Sequence, residues 1–463
     1  MSKSDFNIII ATDSYKCSHY QQYPPGTEYV YSYFESRGGK HKEICFFGLQ
    51  IFIKKYLVGK VVTKEKIDEA ESILKLHFGN SYVFPRHLWE HILNEHSGKL
   101  PIKIKSVPEG TCLPYKNVLF TMVNTDPKCY WLTNYLETLL VQVWYPMTVA
   151  TNSREQKKIL LESLKKTGTP EEILFKLHDF GYRGVSSDET ASIGGSAHLT
   201  QFCGTDTMAS LKLCKEIYGE QMAGFSIPAS EHSTITSWGR EAESQAYGNM
   251  LKQYPEGIVA CVSDSWDIIN AIRIWGTDHK DEIMKRNGTL VIRPDSGNPK
   301  TILIEMFEEA EKYFPVTKNS KGYKVFPPQL RFIQGDGISF ETLKEIVEHL
   351  QEKGWSIDNI AFGSGGGLLQ KLDRDTQKCA FKCSLIIKNN GEEFYVYKNP
   401  ITDPGKKSKK GYLTLHINEK GGYETKCDGN HDFENDIMQD VFINGLLIVD
   451  HQFSEIRERC KLV

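Results

Sequence analysis

The chain has 463 residues, 40% hydrophobic and 25% charged, with a formal charge of −3 at neutral pH. Single domains run to roughly 100 to 200 residues unless they close into barrels, so two domains are expected, one of them large. The near-balanced charge and the lack of any biased tract exclude a disordered chain. They give no sign of a nucleic-acid or membrane partner, and leave an anionic substrate to locally placed Arg and Lys.

The opening MSKSDFNIIIATDS has an apolar stretch too short for a signal-peptide core and reads as a first strand. No run reaches the roughly 18 apolar residues of a membrane span. Eleven cysteines scatter from Cys17 to Cys460 without a CxxC pair or a zinc-type Cys/His spacing. That is the pattern of reduced thiols, and it points to the cytoplasm, with the nucleus also compatible.

Residues 1–150 mix strand-like stretches (FNIIIAT, EYVYSYFES, KIKSVPEG, NVLFTMV) with helical ones (ICFFGLQIFIKKYL, CYWLTNYLETLLVQVWY), which predicts an α+β domain. Over 151–375 the pattern changes. Short apolar strands end in polar or glycine-rich turns at Asp179, Asp206, Pro228, Asp264, Asp295, Asp336 and Ser364, each followed by a candidate helix. The spacing is close to the ~30 residues per βα unit of a barrel. An α/β fold is expected, an irregular (β/α) barrel; an open doubly wound sheet is the alternative, because alternation alone does not show closure. Residues 376–463 read as hairpin strands around an exposed basic loop, ITDPGKKSKKG. They are expected to complete the α+β domain and to pack at a dimer interface.

In either topology the chemistry belongs in the loops after the strands. IAFGSGGGLLQKL sets Gly363, Gly365, Gly366 and Gly367 between a strand and a helix, where backbone N–H groups can approach a phosphate; a tight turn without a ligand is the alternative. VIRPDSGNP and FIQGDGIS place Asp295 and Asp336 just past strands, suited to sugar hydroxyls or a magnesium ion, or to helix N-caps. Arg293 shares the turn of Asp295, and Asp264 lies in VSDSWD. HDFGYRG pairs Phe180 with Arg183, a ring for stacking beside a cation for phosphate. SIPASEHSTI presents His232 after Glu231, as a nucleophile, a proton shuttle or a structural residue. The run Lys406, Lys407, Lys409 and Lys410 reads as a solvated loop or a basic address signal, with closure over a polyanion as its possible function.

These motifs, with ATDSYKCSHYQQYPPGTEYVYSYFESR, PEGTCLPYKNVLFTMVNTDP, YPMTVATNSREQKK, GTDT and LLQKLDRD, resemble the nicotinamide phosphoribosyltransferases, which are type II phosphoribosyltransferases, from about residue 7 to 415. The resemblance implies an irregular α/β barrel with an added α+β domain built from N- and C-terminal segments, and a homodimer with its sites at the interface. It implies condensation of nicotinamide with phosphoribosyl pyrophosphate in NAD salvage, with Mg2+ and with ATP as co-substrate acting through a phosphohistidine at His232. Asp264 or Glu231 would orient that ring.

By the same resemblance Phe180 and Tyr15 clamp the pyridine, Tyr15 coming from the partner subunit, and Asp206 accepts from the carboxamide. Arg293 and Asp295 meet the base or ribose, Asp336 the ribose, and Gly335, Gly365 and Gly366 the ribose-phosphate. Arg183 meets the 5′-phosphate, while Arg37, Arg374, Lys382, Lys398 and Lys406 are candidates for the pyrophosphate or ATP phosphates. No metal ligands are assigned. A nicotinate phosphoribosyltransferase is the nearest alternative, opposed by the charge of Asp206, and a non-catalytic extracellular signalling protein on the same fold is another. Between FESR and FFGLQ the chain is shorter than many relatives, a loop difference expected to leave the chemistry alone.

Overall fold

The computed structural model describes residues 6–402, 407–427 and 434–462, which divide into two compact units. One gathers the described residues up to Thr151 with Ile217–Gly219 and Asp373–Lys461; the other holds Asn152–Glu216 and Glu220–Leu372. No described helix is long and apolar enough to cross a membrane.

The second unit is built on six parallel strands: β1 (Leu177–Asp179), β2 (Gly204–Thr205), β3 (Gly257–Val262), β4 (Gly288–Arg293), β5 (Leu330–Gln334) and β6 (Ile360–Ser364). Their order is β2-β1-β6-β5-β4-β3, which leaves β2 and β3 as edges. The stretch GFSIPAS closes the gap. Phe225 bridges Gly204 of β2 and Ala229 bridges Ala260 of β3, both in parallel, and Ser230 N donates to Ala260 O at 3.0 Å. Pro228 has no N–H to give to a ladder, so this seventh member pairs at isolated points and does not form a full strand. The ring therefore closes, irregularly, as the βα spacing and the resemblance led one to expect.

Strand periodicity then sorts side chains. On β4, Leu290 and Ile292 face the helical layer, and on β5 and β6 Leu330, Phe332, Ile360 and Phe362 do the same. The alternate residues Val291, Ile333 and Ala361 pack inside the ring with Ala260, Ile227 and Phe180. Continuing that period of two toward the strand ends puts His178, Phe180, Arg293, Gly335 and Gly363 on the inner face at the mouth.

The first unit carries a seven-stranded antiparallel sheet in the order Glu393–Tyr395, Cys379–Lys388, Thr27–Ser36, Val118–Asn124, Ile102–Ser106, Gln439–Ile443, Leu446–Leu447. N- and C-terminal segments thus interleave in one sheet. Two expected elements differ. FNIIIAT forms a 3-10 turn, Ile8–Ile10, because Asn7 accepts from Ile9 N at 3.0 Å and Tyr135 Oη donates to Ile9 O at 2.6 Å, using backbone groups that a ladder would need. ICFFGLQIFIKKYL is not one helix. Glu43–Cys45 pairs with Cys112–Pro114, and helix begins only at Leu49, after Gly48 turns the chain at φ 105 where a Cβ would meet Pro146 at 2.3 Å.

Candidate active site

The mouth of the barrel gathers most of the residues picked out from its strand ends. Arg293 lies over the Phe180 ring, its guanidinium carbon 5.0 Å from the centroid, and donates to Asp295 Oδ1 at 2.8 Å. The cation paired with Phe180 is therefore Arg293, where HDFGYRG alone suggested Arg183. A glycine is needed below this ring: a Cβ on Gly363 would fall 2.0 Å from Phe180 Cε2, and one on Gly335 would sit 3.3 Å from Arg293 Nε. Phe180 is further flanked by the His178 ring, 4.9 Å between centroids.

Asp206, past β2, accepts from Ser226 Oγ at 2.5 Å and pairs with His178 Nε2 at 2.9 Å. Burial works to raise its carboxyl, yet the bonds from His178 and Ser226 and the charge of Arg293 hold it below its ordinary value. Asp206 is thus an anion at neutral pH, with its side chain 47% exposed at the mouth.

A second network starts at His232, the first residue of the short helix His232–Thr236. Its Nε2 lies 2.9 Å from Asp264 Oδ1, and its Nδ1 is 4.0 Å from Asp295 Oδ2. The other oxygen of Asp264 accepts from Asp295 N at 2.8 Å and Ser296 Oγ at 2.5 Å. Burial would raise this carboxyl too, but Ser296, His232 and Asp295 N pull it down. Of the two acids considered for orienting His232, Asp264 makes the bond. Glu231 instead accepts from Ser233 Oγ and caps the helix, its N donating to Thr234 Oγ1 at 3.2 Å. Asp267, in the same VSDSWD motif as Asp264, is a helix cap as well.

Arg183 is exposed on the turn Tyr182–Gly184, which lies against the glycine loop: a Cβ on Gly184 would be 3.3 Å from Gly366 N. Gly366 has open space where a Cβ would go. Asp336 is exposed just past β5, and its carbonyl accepts from Gln334 Nε2 at 2.9 Å. Two buried polar atoms at this mouth, Arg293 Nε and Gln334 Oε1, have no hydrogen-bond partner among the described residues. Such atoms are costly unless a ligand or water meets them. Inside the ring, a cavity of about 520 Å³ runs past His178, Ser226, Val291, Ile333 and Ala361.

The remaining candidates belong to the first unit. Tyr15 is exposed, with its ring 4.9 Å from that of His19. Burial lowers the basicity of the Lys382 amine; Glu137 opposes this and the like charges of Arg37 and Arg374 add to it, so three candidate cations share one neighbourhood. Arg37 Nε is buried without a hydrogen-bond partner among the described residues. Lys398 is exposed, and Lys406 lies outside the described residues. Within the basic run, Lys409 forms an ion pair with buried Glu35, because that carboxylate needs a compensating charge.

Sequence reasoning missed His178, Ser226, Ser296 and Gln334. His178 had a usable signal, since it precedes Phe180 by two and so shares its face of the strand.

The family model for the nicotinate phosphoribosyltransferase (NAPRTase) family matches residues 175–446, and that for the nicotinamide phosphoribosyltransferase N-terminal domain matches 7–104. The chain is 50% identical over 414 residues to a nicotinamide phosphoribosyltransferase of Xanthomonas campestris, covering 88% of this chain and 87% of that one. It is 32% identical to a nicotinamide phosphoribosyltransferase of Acinetobacter baylyi, covering 98% and 97%. In fold it is similar to a nicotinate-nucleotide pyrophosphorylase from Pyrococcus furiosus (TM-score 0.60, 14% identity, 98% and 95% covered). It is also similar to human nicotinic acid phosphoribosyltransferase (TM-score 0.55, 13% identity, 97% and 92% covered).

Proposed function

Because the chain belongs to the nicotinate phosphoribosyltransferase family, and matches nicotinamide phosphoribosyltransferases along most of its length, we propose that it makes nicotinamide mononucleotide for NAD salvage. The pyridine nitrogen of nicotinamide bonds to C1 of phosphoribosyl pyrophosphate, and the C1–O bond to pyrophosphate breaks with its electron pair. The pyridine nitrogen carries no proton to remove, so the site needs no general base at that atom.

The observation that carries the choice of base is Asp206, an anion held by His178 and Ser226 at the mouth. It accepts from the carboxamide N–H of nicotinamide and repels the carboxylate of nicotinate. Phe180, with Arg293 on one face, offers the ring for stacking, and in a homodimer Tyr15 of the other subunit would close the clamp. The open loop at Gly365 and Gly366, with Arg183 on the adjoining turn, suits the 5′-phosphate. Arg37, Arg374 and Lys382 suit the pyrophosphate.

Exposed Asp336, and Asp295 through the oxygen not paired with Arg293, would hold Mg2+ alongside substrate phosphates, since both offer the hard oxygen donors it takes. When bound, that ion would offset charge on the leaving pyrophosphate. His232 is the residue we assign to ATP coupling. With Asp264 holding the Nε2–H, the lone pair is on Nδ1, which attacks the γ-phosphorus as the bond to ADP breaks. Each 1.4 kcal/mol so captured shifts an equilibrium about tenfold toward product. The eleven cysteines, scattered without a CxxC pair, support a reducing, cytoplasmic setting.

A nicotinate phosphoribosyltransferase is the second reading, favoured by the fold relatives and opposed by Asp206. A product assay with both pyridines, with and without ATP, separates them. Nicotinamide is expected to be consumed far faster, with ATP lowering its apparent KM and His232→Ala abolishing that effect. Equal use of nicotinate would sink the reading of Asp206, and an ATP response surviving in His232→Ala would remove His232 from its role.

A further inference from the structure

Far along the sequence from the barrel strands, two short segments of the first unit converge. His91 lies on the helix Arg86–Glu95, and His96 ends it. Asp126 precedes the 3-10 turn Pro127–Cys129, whose last residue is the fully buried free Cys129. Nε2 of His91 and Nε2 of His96 lie 2.7 and 2.6 Å from the same oxygen, Asp126 Oδ2. One ligand atom from each of His91, His96, Asp126 and Cys129 falls within 4.8 Å of all the others. A tetrahedral zinc ion with bonds of about 2.0 to 2.3 Å spaces its ligands roughly 3.5 Å apart, so binding requires the two His–Asp separations to lengthen by somewhat under an ångström and the widest separations to shorten by about as much.

Three features go beyond an ordinary ion pair. Asp126 Oδ1 accepts from Lys128 N at 2.8 Å, which fixes the carboxylate and leaves Oδ2 facing the histidines, as a hydrogen bond behind a metal ligand does. Two imidazoles directed at one oxygen exceed what a single carboxylate needs for pairing. The fourth corner is a thiol in the core, and two imidazoles, one carboxylate and one thiolate form a borderline-soft set that suits zinc and not magnesium or calcium. One thiolate and one carboxylate balance the charge of Zn2+. The side chains of His91, His96 and Asp126 are each partly exposed, so an ion can enter.

We propose that His91, His96, Asp126 and Cys129 form a structural zinc site that ties the helix Arg86–Glu95 to the turn Pro127–Cys129. Four protein ligands close the coordination sphere, so the ion holds structure and has no open position for a substrate. This assignment is independent of the pyridine chemistry.

The test uses the full chain, stripped with a chelator and titrated with Co2+ and then Zn2+. The wild type is expected to take up one Co2+ at this site with the intense visible bands of tetrahedral cobalt and a thiolate-to-cobalt charge-transfer band. Zinc should displace it and raise the thermal midpoint. Cys129→Ser should lose the charge-transfer band. His96→Gln, at a partly exposed position, should bind cobalt at least about tenfold more weakly and lose the zinc-dependent rise in midpoint. Far-ultraviolet circular dichroism of metal-free His96→Gln matching the wild type excludes misfolding as the cause. Absence of tetrahedral cobalt bands in the wild type, or the same bands in both variants, would overturn the proposal.

Discussion

Two histidine–aspartate pairs stand at the barrel mouth with the same 2.9 Å separation, His178 with Asp206 and His232 with Asp264. Their exposures are reversed. In the first pair the carboxylate is 47% exposed and the imidazole 14%; in the second the imidazole is 46% exposed and the carboxylate 3%. In each pair the buried member orients the one that faces the opening, and in the first pair His178 also helps to hold the exposed carboxyl ionised. The same two side chains thus present an anion in one place and an imidazole in the other, and burial decides which partner faces the opening.

The largest effect should come from removing the presented anion. Asp206→Asn keeps the shape but gives the site an amide that can turn its N–H toward a carboxylate. The ratio of kcat/KM for nicotinamide over nicotinate should fall on the order of 10³-fold or more, since a site built for one hydrogen-bonding pattern discriminates at about 10⁴. An unaltered ratio would show that the exposed member of this pair does not choose the base. A smaller effect is expected from the buried member of the second pair. In Asp264→Asn the oxygen can still serve Asp295 N and Ser296, which turns the amide N–H toward His232 and forces the ring proton onto Nδ1. Transfer of phosphate from ATP to the protein should slow by roughly 100-fold, the low end of what a correctly protonated, positioned imidazole contributes. Acid-labile labelling from γ-labelled ATP measures it, and wild-type labelling would mean that Asp264 does not set the tautomer.

The two pairs also mark what could be read from the sequence. Asp206, His232 and Asp264 stand out because each follows a short apolar strand or opens a helix, and strand ends of a βα array share one rim. His178 lies within a strand and does not stand out as a strand-end residue, although its spacing from Phe180 puts it on the inner face. The unit expected to end at Pro228 is legible as an apolar stretch, but it forms only isolated bridges at Phe225 and Ala229 because Pro228 has no N–H for a full ladder. FNIIIAT has the composition of a strand, but Asn7 and Tyr135 take its backbone groups first. The His91, His96, Asp126 and Cys129 cluster escaped notice for a different reason. Each segment contributes only two ligand atoms, and no local spacing says that helix and turn will meet.

The most delicate test of the comparison is a pH profile that isolates the buried member of the first pair. Asp206 is held below the ordinary carboxylate value of about 3.9, even though burial raises it. The hydrogen bond and charge of His178 are the largest of the opposing influences, ahead of Ser226 and Arg293. A depressed carboxyl is ionised at every pH above its lowered value. The repulsion of nicotinate should therefore be constant from neutral pH into the acid range and fade only as pH falls through that value. Any stability the ionised group contributes follows the same sign, present above the unfolded value and lost on acidification. In His178→Gln the burial remains while the interactions of the imidazole go, so the titration of Asp206 should move upward. Nicotinate titrates its own carboxyl in the same region, but it does so identically for both proteins. The displacement between the two selectivity profiles therefore belongs to Asp206, and superposable profiles would mean that His178 packs beside the anion without governing its charge.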